Sequence, residues 1–256
     1  MSSHYEKFRS LHHQPELLLL GNAWNVSSAK VLEAAGIKAI GTSSSAIADT
    51  MGYEDGENIP FEELFQIISR IVKNVQVPVS ADIETGYSST LEGILAHIDQ
   101  LISIGIAGIN LEDSTASRDR QLVPATVFAE KIAAIRKYLA AGNKQLFINA
   151  RTDAFLLKDP ASLEESISRA RLYEEAGADG LFVPFIEQEE DIRQIVAATK
   201  LPVNVMARPQ LPSLDRLNAI GVKRVSMGGS LYWAQKKHLQ SNLDSILTEK
   251  VFSALY

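Results

Sequence analysis

The sequence predicts a closed (β/α)8 barrel, the TIM-barrel form of the α/β class, on three observations. Eight short runs of apolar and β-branched residues alternate with longer stretches whose apolar positions recur at helical spacing. Four junctions carry one signature: Ala35-Gly36-Ile37, Ile104-Gly105-Ile106, Ala176-Gly177-Ala178 and Ile220-Gly221-Val222. Each places a glycine where a helix ends in a left-handed residue, with a strand following at once. Two further strands open on proline, at Val77-Pro78-Val79 and Leu201-Pro202-Val203, where a missing N–H is tolerated.

In order, Met1 to Glu16 reads as a polar lead-in. Strands are expected to begin near Leu17, Lys38, Val77, Gly108, Leu146, Gly180, Pro202 and Arg224. Helices are expected over Phe61 to Val75, Leu91 to Ile104 and Val127 to Leu139, the second opened by the capping-box pattern Ser89-Thr90-Leu91-Glu92. The stretch 229–256 is longer than one barrel helix needs. Its spare apolar residues, among them Leu239, Leu243, Leu247, Val251 and Phe252, point to packing on another subunit. No proline-, glycine- or serine-rich linker interrupts the pattern, so 1–256 is read as a single domain. An open doubly wound sheet is the alternative arrangement of the same units.

Composition narrows the function classes. With 46% hydrophobic and 22% charged residues in 256, a full core forms without staples. There is no cysteine, which excludes disulfides, thiolate metal sites and thiol nucleophiles, and makes a reducing cytoplasm the expected compartment. The apolar run Leu17 to Leu20 is far too short for a membrane span. A formal net charge of −6 offers no footprint for nucleic acid or anionic membrane, leaving small molecules as the expected partners.

In a parallel barrel, polar residues at the strands' C-terminal ends build the active site. The third strand is expected to end Asp82-Ile83-Glu84, the fourth Asn110-Leu111-Glu112-Asp113, and the fifth Asn149-Ala150-Arg151-Thr152-Asp153. A period of two makes Asp82 and Glu84 face one way, and neighbouring strands about 4.8 Å apart bring three carboxylates and an arginine into one pocket. Like charges so close repel unless a cation joins them. All-oxygen ligands select a hard ion, Mg²⁺ with Mn²⁺ as a substitute. A structural ion-pair layer with Arg151 is the rival reading. Gly41-Thr42-Ser43-Ser44-Ser45 offers backbone N–H groups to an anion or is an ordinary hydroxyl-rich loop, and the turn around Asp55 taken alone is only solvated. None of the five histidines ends a strand.

Together, Gly21-Asn22-Ala23-Trp24, Gly41-Thr42-Ser43-Ser44, Asp82-Ile83-Glu84-Thr85-Gly86-Tyr87, Asn110-Leu111-Glu112-Asp113 and Asn149-Ala150-Arg151-Thr152-Asp153 resemble the isocitrate lyase and phosphoenolpyruvate mutase family, in order from about Gly21 to Gly229. The resemblance implies a (β/α)8 barrel, Mg²⁺, α-oxo acid substrates, and a homo-oligomer (dimer or tetramer) whose C-terminal helix is exchanged between subunits. It further implies Asp82 as direct metal ligand, with Asp55, Glu84 and Glu112 reaching the metal through water. Ser43 and Ser44 would hold the substrate carboxylate, Arg151 would bind the oxyanion, and Asn204 matches a further pocket position. The sequence also departs from the family. The lyases' Lys-Lys-Cys-Gly-His stretch is replaced by 113–121, which has no cysteine, and Val183-Pro184-Phe185 lacks the histidine of the phosphonopyruvate branch. Decarboxylation of an oxaloacetate-like di-acid needs neither group. The loop 114–124 is then expected to act as a lid that brings Arg118 or Arg120 onto an anionic substrate, the plain alternative being a solvated surface loop.

Overall fold

The computed structural model describes residues 3–116 and 119–256. Eight parallel strands close on one another in sequence order: β1 (Leu18–Ala23), β2 (Ile40–Thr42), β3 (Val79–Asp82), β4 (Gly108–Glu112), β5 (Phe147–Arg151), β6 (Gly180–Val183), β7 (Val203–Met206) and β8 (Arg224–Ser226). Pairing of β1 with β8 completes the ring, so the open-sheet alternative falls. The strands start where the apolar runs do, within two residues. The four junction glycines, Gly36, Gly105, Gly177 and Gly221, all hold φ between +86° and +94°. That conformation costs a side-chain-bearing residue energy, and it turns each chain from helix into strand.

Ten α-helices accompany the strands among the described residues: α1 (His4–Leu11), α2 (Val26–Ala34), α3 (Ser44–Met51), α4 (Phe61–Asn74), α5 (Leu91–Ser103), α6 (Ala125–Ala141), α7 (Ser162–Glu175), α8 (Glu189–Ala198), α9 (Leu214–Ala219) and α10 (Ser230–Glu249). α5 is capped by Thr90, whose hydroxyl accepts from Gly93 N–H, and not by Ser89. With Thr90 as the cap, glycine occupies the third helical position and Glu92 has no reciprocal role.

The lead-in is not simply polar. Phe8 and Leu11 of α1 are buried with Leu18, Leu20, Ala39, Ala107 and Phe147 in a small core of their own. Phe8 packs edge-on to Phe147, and His12 stacks on Phe147 with centroids 4.3 Å apart. α1 therefore closes the N-terminal end of the barrel. At the other extreme of the chain, Tyr232 is the one buried residue of α10, held by an edge contact with Trp24 and a hydrogen bond to Asp49. Leu247 and Phe252 stand 64% and 67% exposed beyond it. No helix among the described residues is long and apolar enough to cross a membrane.

Candidate active site

The C-terminal ends of the strands surround a cavity of about 600 Å³. Asp82 ends β3 and reaches it with its backbone N–H on the Thr42 hydroxyl (2.9 Å) and its Oδ2 on the Ser44 hydroxyl (3.0 Å). Its Oδ1 is enclosed and has no hydrogen-bond partner. Burial raises the Asp82 pKa, against the lowering effect of Arg151 and Ser44.

Strand alternation does not place Glu84. β3 stops at Asp82, and Glu84, Gly86 and Tyr87 all take positive φ, at 48°, 116° and 58°. Two non-glycine residues in left-handed conformation are costly and persist only where the surroundings hold them. Glu57 does so: one oxygen accepts from Thr85 N–H (2.9 Å), the Thr85 hydroxyl (2.7 Å) and Tyr87 N–H (2.9 Å). The result is a Glu84 carboxylate buried beside the cavity and hydrogen-bonded by the Tyr87 hydroxyl at 3.0 Å. Its pKa is pushed well up by burial and then by Glu112, Asp55 and Asp82.

β4 and β5 pair Glu112 directly with Arg151, and the ion pair closes at 2.8 Å. Arg151 Nε also donates to Asp153 at 2.6 Å. Burial still raises Glu112 to about 8, even with Arg151 and Arg120 beside it. Arg120 stands among the acids, within 2.5 Å of Glu112, 3.4 Å of Asp153, 3.5 Å of Glu84 and 3.6 Å of Asp55. It lines the cavity while these four carboxylates hold its guanidinium. The described residues of its loop pair with one another, with a bridge between Ser114 and Leu122 and Thr115 N–H bonded to Gln121 O at 2.9 Å. Arg118 lies outside the described residues.

Asp55, Glu84 and Glu112 thus gather around a guanidinium, and no three acids among the described residues converge as direct metal ligands. The donor that fits a divalent ion is Asp82, which alone of these acids leaves an enclosed oxygen without partner or counter-ion.

The two serines differ from one another. Ser43 N–H is spent on Ala23 O at 3.0 Å and its hydroxyl caps α3, while the Ser44 hydroxyl donates to Asp82. The Ser43 N–H is therefore not left for a substrate carboxylate. Asn204 is buried below the cavity and pairs in register with Arg224. Arg224 itself crosses the barrel interior to Asn110 Oδ1 at 3.4 Å, and burial pushes its pKa down to about 9.

Sequence reasoning missed Glu57, Asn22 and Arg208. Asn22 accepts from both Met227 and Gly228 N–H at 2.9 Å, and Arg208 lines the cavity beyond β7. Glu57 sits in an acidic run indistinguishable from a solvated turn. Asn22 stood in a stretch that carries the resemblance but was given no role, and Arg208 carried no spacing signal.

Comparison with known proteins gives one consistent picture. The family model described as phosphoenolpyruvate phosphomutase matches residues 8–247. A protein of Mycobacterium tuberculosis is 37% identical over 227 residues, covering 89% of this chain and 83% of that one. An oxaloacetate decarboxylase of Ectopseudomonas mendocina is 30% identical over 199 residues, covering 76% of this chain and 67% of its own. The crystal structure of a candidate phosphonomutase from Burkholderia cenocepacia superposes with a TM-score of 0.87 at 39% identity, covering 93% of this chain and 97% of that one. A barrel whose acids and arginines lie at the strands' C-terminal ends, matched nearly end to end by that model, belongs to the phosphoenolpyruvate mutase/isocitrate lyase superfamily of enzymes.

Proposed function

We propose that this protein is a Mg²⁺-dependent carbon–carbon lyase or decarboxylase acting on a small α-oxo di-acid of the oxaloacetate type, with Mn²⁺ able to replace Mg²⁺. One observation carries the reading: Asp82, fixed by Thr42 and Ser44, keeps an enclosed oxygen without a partner beside a cavity that Arg151 also lines. Such an oxygen is costly unless a cation meets it. Asp82 would hold the ion directly, and Asp55, Glu84 and Glu112 through water. When bound, the ion supplies positive charge that withdraws electrons from the 2-oxo group.

The chain's own residues do the rest. Glu112 and Asp153 grip two nitrogens of Arg151, so its remaining N–H groups are pre-aimed at the oxygen on which negative charge grows. In oxaloacetate the bond from C3 to the C4 carboxylate breaks, carbon dioxide leaves, and C3 takes a proton from solvent to give pyruvate. No protein base is needed for the cleavage, which suits a cavity lined by neither cysteine nor histidine. The similarity to an oxaloacetate decarboxylase supports the same reading. Phosphoryl chemistry on the glycines after β8 is disfavoured, because Met227 and Gly228 already donate to Asn22. A reducing cytoplasmic compartment suits a chain without cysteine.

The test is incubation of the purified protein with Mg²⁺ and oxaloacetate, phosphonopyruvate or methylisocitrate in turn, following pyruvate, phosphate, and glyoxylate with succinate. Pyruvate from oxaloacetate, abolished by EDTA and restored by Mg²⁺, is the expected result. Phosphate from phosphonopyruvate would move the assignment to the phosphonate branch, and ligand binding without turnover would make the protein an α-oxo acid binder.

A further inference from the structure

The cavity is lined by three arginines, and they are not equivalent. Arg120 is surrounded by Asp55, Glu84, Glu112 and Asp153, and Arg151 is gripped by Glu112 and Asp153. Arg208 is different. Among the described residues its only carboxylate partner is Glu187, met by Nε at 3.5 Å, and no hydrogen bond is made by its two Nη atoms. Its guanidinium stacks on the Phe185 ring at 4.6 Å from the centroid, a contact that fixes its plane while leaving its edge for a ligand.

Its place in the barrel matters as much. Arg208 follows β7, and Asp82 ends β3, so the two stand on opposite sides of an eight-strand ring. Between Arg151, at the end of β5, and Arg208, the wall at the end of β6 is apolar: Phe182 lies under the Arg151 guanidinium, Phe185 under that of Arg208, and Pro184 joins them. Phe185 holds φ at +64°, a conformation unusual for an aromatic residue and one that persists only where the surroundings impose it. A strained ring presenting a cation to a cavity is a candidate specificity element.

We infer that Arg208 is the receptor for a second anionic group of the substrate, a carboxylate or phosphonate set apart from the α-oxo acid head. The inference rests on the reading that Asp82 and Arg151 take that head, and it selects di-anions over mono-acids. A planar guanidinium receives such a group by paired N–H donation, and the apolar wall accommodates the carbon that links the two ends. Hydrogen bonds to charged groups of this kind change affinity by about ten- to a hundredfold.

The experiment uses the full chain with Mg²⁺ and unreactive 2-hydroxy acids that differ only in the second group: lactate, malate and 3-phosphonolactate. Binding is read from the fluorescence of Trp233, which lines the cavity. The wild type is expected to bind malate or 3-phosphonolactate about tenfold or more tightly than lactate, and the tighter of the two identifies the anion. Arg208→Gln should abolish that preference while leaving lactate unchanged, and Arg208→Lys should restore part of it. Retention of the preference in Arg208→Gln, or equal weakening of all three ligands, overturns the inference. Loss of the preference together with absence of any pyruvate from oxaloacetate in the wild type would instead remove the proposed reaction and leave Arg208 as an anion receptor. Normal decarboxylation with an unchanged KM for oxaloacetate in Arg208→Gln would do the reverse.

Discussion

At the scale of single residues, the site is a contest between burial and charge. Asp82 is raised by burial and left with one unmatched oxygen, so Asp82→Ala should abolish Mn²⁺ binding measured by calorimetry or electron paramagnetic resonance. Retention of metal affinity in that variant would overturn the metal assignment. Arg151→Ala should lower kcat by about a hundred- to a thousandfold with a smaller change in KM, because its contribution lies where charge develops. Steady-state kinetics on oxaloacetate decides this. Asp82, Glu112 and Arg151 were legible in the sequence because strand ends and two-residue alternation set their direction. Arg208 was not, since its role depends on a strand across the barrel that sequence spacing does not reveal. Ser43 and Ser44 were read as anion donors, but the Ser43 N–H is taken by Ala23 and the Ser44 hydroxyl by Asp82, and such competition becomes visible only in three dimensions.

Among the elements, the turn after β3 and the helix α1 each depend on very few side chains. Two strained residues, Glu84 and Tyr87, are held by the single carboxylate of Glu57. Glu57→Ala should therefore weaken Mn²⁺ binding several-fold while Asp82 remains, and Glu57→Gln, with one acceptor oxygen left, should retain more of it. Equal affinity of wild type and Glu57→Ala would remove the turn from the metal's support. The alternation rule expected strand to continue to Glu84. It fails because Gly86 and its neighbours buckle the chain, and a strand's end is set by partners the sequence does not display. α1 was likewise hidden, since one Phe and one Leu among polar residues give no clear stripe, yet the lumen beneath needs filling. Truncating Phe8 to Ala should cost about 3–5 kcal/mol in urea unfolding. His12 gives this helix a pH response. Buried on Phe147 and donating from Nδ1 to Phe8 O at 2.8 Å, it is pushed down to about 3 by burial and by Arg224. The unfolded chain then binds a proton below about pH 6.5 that the folded one refuses. Its contribution is whole above that pH and is lost as pH falls towards about 3, by at most ~1.4 kcal/mol per unit. Urea midpoints at pH 7.5 and 5 should differ more for the wild type than for His12→Leu.

For the molecule as a whole, the barrel was the most legible feature, because each βα unit repeats its own boundary signals. What those signals omit is how the last helix is used. α10 keeps only Tyr232 buried against its own barrel and presents Leu239, Leu243 and Leu247 to solvent. We expect that face to be covered by a second copy, so Leu243→Glu with Leu247→Glu should lower the mass measured by light scattering to that of one chain. An unchanged mass would refute helix exchange.

The plug at the base of the barrel has a kinetic consequence. With Phe8 and His12 filling the far end, reactant and product share one doorway. The proposed substrate, oxaloacetate, and its product, pyruvate, could not then pass through in file. In the proposed decarboxylation, carbon dioxide, small and uncharged, would depart first, and the next turnover would wait until the remaining acid has backed out past the rim. Product inhibition should then be competitive, and at high pyruvate the enzyme's pace would be set by traffic at the doorway.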